Sequence, residues 1–403
     1  MPDNNTFSYQ NLFSRSAPEV RGGWGNMKRA KYDFAIAYPD PASVPLTGLL
    51  NSLQQAMDEE GQDLALYLPM AGYRPLREFV AAKLARDRNI QVTADDLVLT
   101  AGGGQALHVT FETLIDPGDV VLTEDFTYSG ALFQMRRFRG EARGVACDHE
   151  GFLPDALEAT LQQVKAEGKR VKLIYNVPNF QNPQGWTMTL ERRKALLAFA
   201  EKHGLPILED DCYGDLRYDG QNLPSLRTLD EAGHVIYVGS FSKTIAPGMR
   251  LGYLTAPREM LNRALAAKSG GAVTLFAAFA VHRYVTEHLS SHIEEINDIQ
   301  RAKRDAMVAG LEEHFAGGAT WIRPEGGLSL WVKFPEGVDV TPMREKIVET
   351  YDVGYSPGNN FAPDGVSGKN CMRLSFGYNT PAEICEGMGR LAEGFRREGV
   401  LKG

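Results

Sequence analysis

Between residues 96 and 256 the chain alternates short β-branched runs with longer amphipathic ones, and this alternation limits the fold more than any other feature. Strands are expected at Asp96 to Thr100, Asp119 to Thr123, Val171 to Tyr175, Pro206 to Asp210, Val235 to Gly239 and Arg250 to Ala256. Helices are expected over Gln105 to Leu114, Leu153 to Glu167 and Leu190 to His203; in the last, Leu196, Leu197 and Ala200 share a face. A chain that returns repeatedly to one sheet through helices builds an α/β fold, with a largely parallel sheet between helical layers. From about Glu294 the character changes to a long charged helix, Glu294 to Phe315, then strands at Ser329 to Phe334 and Cys371 to Phe376. A closing helix from Pro381 to Glu398 completes what reads as a second, smaller α/β domain. The expected division is an N-terminal segment 1–45 packing with the small domain at a substrate entrance, a large domain 46–290 and a small domain 291–403. No internal repeat is present, which excludes a solenoid.

The 403 residues are 43% hydrophobic and 23% charged, enough for a sizeable core in a soluble protein. A formal net charge of -8 argues against nonspecific nucleic-acid binding and favours a small charged metabolite as partner. Cys147, Cys212, Cys371 and Cys385 form no C-x-x-C pair, so scattered reduced thiols are expected, and no metal-binding pattern stands out. The start Met1-Pro2-Asp3-Asn4-Asn5 lacks a signal-peptide pattern, and the apolar run Ala272 to Val281 is too short to span a bilayer. A cytoplasmic protein without membrane contact is expected.

Ligands on parallel sheets bind beyond the carboxyl ends of the strands. Those ends here read Ala101-Gly102-Gly103-Gly104, Glu124-Asp125-Phe126-Thr127-Tyr128, Asn176 through Gly185, Glu209-Asp210-Asp211-Cys212-Tyr213 and Ser240-Phe241-Ser242-Lys243. Alone, Lys243 is a solvated surface charge. Beside the hydroxyls of Ser240 and Ser242 and the guanidinium of Arg250, it suits an aldehyde-bearing phosphate that an amine can capture as an imine. Gly103 and Gly104 open a helix, either as an ordinary strand-to-helix turn or as an anion site. Asp210 at a buried strand end must be paired or must cap a helix. Asn182-Pro183 marks a turn, Tyr128 alone is an amphipathic loop residue, and Arg373 among apolar neighbours is compatible with snorkelling.

The segment SFSKTIAPGMRLGY, residues 240 to 253, resembles the cofactor-lysine motif of class I/II aminotransferases, which are fold-type I pyridoxal-phosphate enzymes. The resemblance runs in order from about Tyr67 to Phe376. It is nearest to the subgroup of 2-aminoadipate and kynurenine aminotransferases and the effector domains of fused transcription regulators. It implies a large domain with a mostly parallel, seven-stranded type of sheet and a smaller α/β domain. It also implies pyridoxal 5'-phosphate held as a Schiff base by Lys243, its phosphate at Gly103, Gly104, Ser240, Ser242 and Arg250. Tyr128 would stack on the ring, Asn182 and Tyr213 would bond its phenolic oxygen, and Asp210 would pair with its ring nitrogen. Arg373 would grip the substrate α-carboxylate with Asn182 nearby, and Tyr67 would reach the phosphate of the neighbouring subunit of a homodimer.

Four departures accompany the match. Relatives more often carry Ser-Gln at Gly103-Gly104, proline at Phe126 and threonine at Gln184. In Ala35-Ile36-Ala37-Tyr38-Pro39-Asp40-Pro41, Tyr38 stands where relatives have glycine. Tyr38 is therefore expected to narrow the substrate pocket. The implied activity is ping-pong transfer of an amino group from an L-amino acid to a 2-oxo acid, with Lys243 moving the proton. The same residue set also serves β-lyases, decarboxylases, racemases and oxidases. A ligand sensor is the reading from another class, opposed by the acidic charge and by an N-terminus with no helix-turn-helix pattern.

Overall fold

The computed structural model describes residues 7–14, 17 and 29–401. Its centre is a seven-stranded sheet in the order Val98–Thr100, Gly252–Thr255, Val235–Ser240, Ile207–Asp210, Val171–Asn176, Val120–Glu124, Glu141–Val145. The strands from Val235–Ser240 through Glu141–Val145 pair in parallel, and Gly252–Thr255 runs antiparallel to both its neighbours. That reversal follows from chain length, because the segment between Ser240 and Gly252 is too short for a crossover helix. The expected α/β class, a mostly parallel sheet with helices on both faces, is what the chain adopts.

Val120–Glu124, Ile207–Asp210 and Val235–Ser240 are buried along their whole length, so their sequences read as near-continuous apolar runs. On one face Leu107, Phe111 and Leu261 pack against Leu208 and Val238; on the other Leu161, Leu196 and Phe199 pack against Ile174 and Ile207. Each such side chain contributes roughly 1.5–3 kcal/mol of burial. Two expected boundaries shift for local reasons. The strand expected from Asp96 starts at Val98, because the Asp96 carboxylate accepts the Thr93 N–H at 3.0 Å and caps a turn instead. The strand expected from Arg250 starts at Gly252, because Arg250 adopts a left-handed conformation, φ 48°.

The helix expected over Glu294 to Phe315 is the second half of one 40-residue helix, Leu275–His314, that also absorbs most of the apolar run. Its first half, through Leu289, packs with Leu99 and Tyr253 of the large sheet; from Ile296 to Leu311 it packs in the core of a second sheet. The position 290/291 lies inside this helix, where it changes cores. The second sheet has the order Thr320–Trp321, Ser329–Lys333, Cys371–Ser375, Ser356–Pro357, all antiparallel. The helix Pro381–Arg397 covers it with Leu391 and Phe395 and starts at a Thr380/Glu383 capping box. From the N-terminal segment, Tyr32–Asp33 pairs with Val353–Gly354 and Phe34 enters the small-sheet core. The four cysteines are free thiols. Among the described residues no helix is long and apolar enough to cross a membrane.

Candidate active site

A cavity of about 420 Å³ opens where the carboxyl ends of the large sheet meet the small sheet and the N-terminal strap Ala35-Ile36-Ala37. One half comes from the large sheet alone. After Val98–Thr100 the chain turns at Gly102, whose φ of +74° favours glycine; a Cβ there would also displace the Arg250 guanidinium, whose Nη2 would lie 2.6 Å away. The helix Gly103–Leu114 follows, its first N–H groups free of intrahelical partners and Gly104 open toward the cavity. The left-handed turn at Arg250, a conformation that costs a non-glycine residue roughly 1–2 kcal/mol, swings the guanidinium back to the Ala101 carbonyl at 2.8 Å. Ser240 and Ser242 line the same wall, with the Ser242 N–H donating to Ser240 Oγ at 3.1 Å. Backbone donors, hydroxyls and a guanidinium converge as a phosphate requires.

Asp210 lies across the cavity floor. Its carboxylate accepts from the Tyr175 hydroxyl at 2.8 Å and the Cys212 N–H at 3.3 Å. Burial pushes its pKa up, and the bonds from Cys212 and Tyr175 pull it back. Both donors are neutral, and among the described residues no salt bridge reaches this carboxylate; a protonated ring nitrogen would compensate its buried charge. Asp211 points away, as alternation on a strand demands, and takes Arg88 at 3.1 Å, Tyr237 at 2.7 Å and Asn179 at 2.6 Å. Tyr128 lines the cavity at the end of a loop fixed by Glu124, which accepts from Thr127 at 2.6 Å, Asn176 at 2.9 Å and the Val177 N–H at 2.7 Å. Burial raises the Glu124 carboxyl to about 7. Asn182 donates to the Tyr213 hydroxyl at 3.5 Å, and burial pushes that phenol up.

Lys243 projects between the two halves. Its Nζ donates to the Ala37 carbonyl at 2.6 Å and lies 6.0 Å from the centroid of the Tyr213 ring. Desolvation lowers its pKa to about 8, with the charges of Arg373 and Arg250 acting in the same direction. Arg373 comes from the central strand of the small sheet. Its Nη1 donates to Asn182 Oδ1 at 3.1 Å and its Nη2 to the Ala35 carbonyl and, at 3.4 Å, to Ser356 Oγ. Its guanidinium covers the Phe361 ring at 4.7 Å, and Nε is buried with no partner among the described residues. A buried fork whose partners are neutral is suited to a carboxylate.

Gly103, Gly104, Tyr128, Asn182, Asp210, Tyr213, Ser240, Ser242, Lys243, Arg250 and Arg373 therefore share one cavity. Two expected site residues lie outside it. Tyr67 is fully exposed on a loop that does not line it. Tyr38, expected to narrow the pocket, donates its N–H to the Ile36 carbonyl at 2.9 Å, and its ring packs against Tyr378 and Arg29. Ile36 faces the cavity in its place. The wall residues Cys212, Ser356, Asn360 and Phe361 carry no motif of their own, and sequence reasoning misses them. Glu124 was visible only as a strand end. The residues fit a phosphate-bearing aromatic aldehyde: an anion cradle, a tyrosine on the cavity wall, a buried carboxylate bonded only to neutral donors and an amine of lowered pKa.

Comparison with known proteins agrees. The family model for aminotransferase class I and II matches residues 38–391. The chain is 36% identical over 369 residues to aromatic-amino-acid aminotransferase 1 of Thermococcus litoralis, covering 91% of this chain and 88% of that protein. The kynurenine aminotransferase of Pyrococcus horikoshii, solved in complex with PMP, superposes with a TM-score of 0.86 at 36% identity over 92% of this chain and 91% of the other. The α-aminoadipate aminotransferase of Thermus thermophilus, solved with N-(5'-phosphopyridoxyl)-L-leucine, gives 0.89 at 29% identity over 98% and 99%. The chain belongs to the class I and II aminotransferases and is a pyridoxal-phosphate-dependent aminotransferase of fold type I.

Proposed function

We propose that this aminotransferase takes its amino group from L-amino acids with uncharged, apolar or aromatic side chains, with Lys243, Asp210 and Arg373 as the residues that act. The observation that carries this reading is the single cavity in which the Lys243 amine, the partner-poor Asp210 carboxylate and the unpaired Nε of Arg373 meet. Gly103, Gly104, Ser240, Ser242 and Arg250 hold the cofactor phosphate, Tyr128 stacks on the ring, and Lys243 anchors the cofactor through Nζ. When bound, the cofactor supplies the electron sink that makes the substrate Cα–H bond acidic. Asp210 keeps the ring nitrogen protonated. Arg373 fixes the α-carboxylate and so turns the Cα–H bond toward Lys243. The Lys243 amine, neutral at mildly alkaline pH because its pKa is lowered to about 8, takes that proton and returns it. Asn182 and Tyr213 hold the phenolic oxygen.

The donor class follows from the walls. Among the described residues the cavity's cations are Lys243, Arg250 and Arg373, each assigned above, so none remains for a second carboxylate. Ala35, Ile36 and Phe361 instead offer apolar surface. The aromatic substrates named for the Thermococcus relative are consistent with this. The assembly is a cytoplasmic homodimer in which Tyr67 reaches across. Its supports are the free thiols and an exposed apolar surface around Tyr67, Leu46, Leu50 and Phe276. The expected result is a yellow protein bleached by borohydride, with colour and activity lost in Lys243→Ala, and conversion to the amine form by phenylalanine or leucine. Release of pyruvate and ammonia without an acceptor acid would overturn the transfer reading in favour of a lyase.

A further inference from the structure

A second cavity, of about 300 Å³, lies on the far side of Phe126 from the active site and takes its walls from both sheets. The large-sheet part contributes Asp125, Phe126, Gln184 and Trp186, and the small-sheet part contributes Trp331 and Lys333. The two cavities are separated by an aromatic wall. Phe126 packs on Trp331 with centroids 5.1 Å apart, and Trp331 meets the edge of Phe361 at 6.0 Å. Phe361 faces the active site, and Trp331 faces this second space.

The chemistry of the second cavity is lopsided. Asp125 is largely withdrawn from water, and its partners are neutral donors: its own neighbour Phe126 N–H at 2.9 Å and Gln184 Nε2 at 3.3 Å. Among the described residues no lysine or arginine pairs with it. Asp148 on the same rim is already matched by Arg192 at 2.8 Å. Cys147 and Cys371 add no negative charge, since burial pushes both thiols up, Cys371 to about 11. A carboxylate without a cation partner, in a cavity lined by two tryptophans and a phenylalanine, offers an organic ammonium both a charge and aromatic surface. Trp186 is fixed by its Nε1–H, which donates to Gln184 Oε1 at 2.5 Å. Lys333 stands exposed at the rim, where its charge penalises any ligand carrying a second positive centre.

We propose that this interdomain cavity is a binding site, separate from the active site, for a small organic monocation: one ammonium group on a compact apolar body, seated on Asp125 between Trp186 and Trp331. The test is calorimetric titration of the borohydride-reduced holoenzyme with choline, whose quaternary nitrogen forms no imine, against its uncharged isostere 3,3-dimethyl-1-butanol. Saturable one-site binding of choline is expected, with binding of the neutral alcohol weaker by about tenfold or more. Asp125→Asn, which preserves shape, is expected to weaken choline by about tenfold or more. Lys333→Gln, at an exposed position, is expected to tighten it by about two- to fivefold. Failure of choline to bind, equal binding of the alcohol, or unchanged binding by Asp125→Asn would each overturn the proposal. So would displacement of choline by 3-phenylpropionate, a carboxylate directed at Arg373, because that would place the choline in the active site.

Discussion

The two halves of the active-site cavity are built on different principles. The cofactor half is one sheet edge, where Gly103, Asp210, Ser240 and Lys243 each sit at or just beyond the end of an element and Arg250 is brought in by the return strand. Its geometry rests on a buried backbone and on charges locked behind it, such as Asp211 with Arg88. The substrate half is assembled from three segments far apart in sequence: the strap at Ala35–Ala37, the turn at Ser356–Phe361 and the strand that carries Arg373. Its polar links run between those segments, Arg373 to the Ala35 carbonyl and Ser356 to the same carbonyl at 2.6 Å. Lys243 bonds across both halves, to Ala37. A single sheet edge gives a fixed site for a cofactor. A composite of three segments gives a wall whose shape depends on side chains that can vary independently.

If that contrast is right, damage to the first half appears in turnover and damage to the second in apparent affinity. Asp210→Asn removes the charge facing the ring nitrogen while keeping the shape, and kcat is expected to fall by on the order of 10³-fold with the amino-acid KM changed little. Steady-state kinetics of the saturated holoenzyme checks this. A comparable size of effect, expressed in stability, is expected for Arg88→Met. It leaves Asp211, which Arg88 contacts at 3.1 Å, without a cation partner and Asp215 with Lys83 alone at 2.8 Å, and breaking a buried pair costs about 3–5 kcal/mol. Urea unfolding of the holoenzyme measures it. A loss below about 1 kcal/mol would show that the charges behind the sheet do not brace the cofactor half.

The same contrast explains what the sequence disclosed. The strand ends were legible because buried parallel strands have a simple apolar pattern and every one of them terminates in polar or glycine residues. Lys243 among Ser240, Ser242 and Arg250 stood out for that reason. Asp210 lines the cavity, whereas the adjacent Asp211 bonds Arg88 and Tyr237 instead. Phe361, Ser356 and Asn360 were silent, because their nearness to Arg373 is created by the small-sheet pairing and not by any local pattern. The long helix Leu275–His314 was seen only in part, since its apolar first half and charged second half face different cores. The contact of the Tyr38 ring with Tyr378 was equally silent, because the partner lies 340 residues away in the small-sheet part.

Arg373→Gln tests the second half directly. Losing a charge-assisted pair with the α-carboxylate is expected to raise KM for the amino donor by about 10²-fold, with a smaller change in kcat. A fall in kcat with KM unchanged would mean that Arg373 acts only after binding. Lys243, which belongs to both halves, is probed by pH. Its pKa is lowered to about 8 by desolvation, so the neutral amine is populated as pH rises through 8 and not through the ordinary lysine range near 10. The rate at which cofactor-free protein captures pyridoxal phosphate is expected to climb across that lower window. A midpoint near 10 would mean that the amine is solvated and that the strap does not cover it.

The smallest expected effect separates Tyr38 from Ile36. Because the Tyr38 ring packs outward on Tyr378 with centroids 6.0 Å apart, Tyr38→Phe leaves the cavity wall unchanged and is expected to alter the ratio of kcat/KM between phenylalanine and alanine by less than about twofold. Ile36 faces the cavity, and Ile36→Ala removes apolar wall without touching Lys243 or Arg373. Apolar contact equivalent to one methylene is worth about 1–3 kcal/mol of discrimination, and Ile36 is 41% exposed, so a shift of that ratio toward the low end, about tenfold, is expected from Ile36→Ala. The direction is informative as well as the size. A shift against phenylalanine means that Ile36 packs on the substrate ring, whereas a shift in its favour means that Ile36 limits the room available to it. Equal responses from Tyr38→Phe and Ile36→Ala would remove the distinction between a strap residue that points inward and one that points out, and with it the composite description of the substrate half.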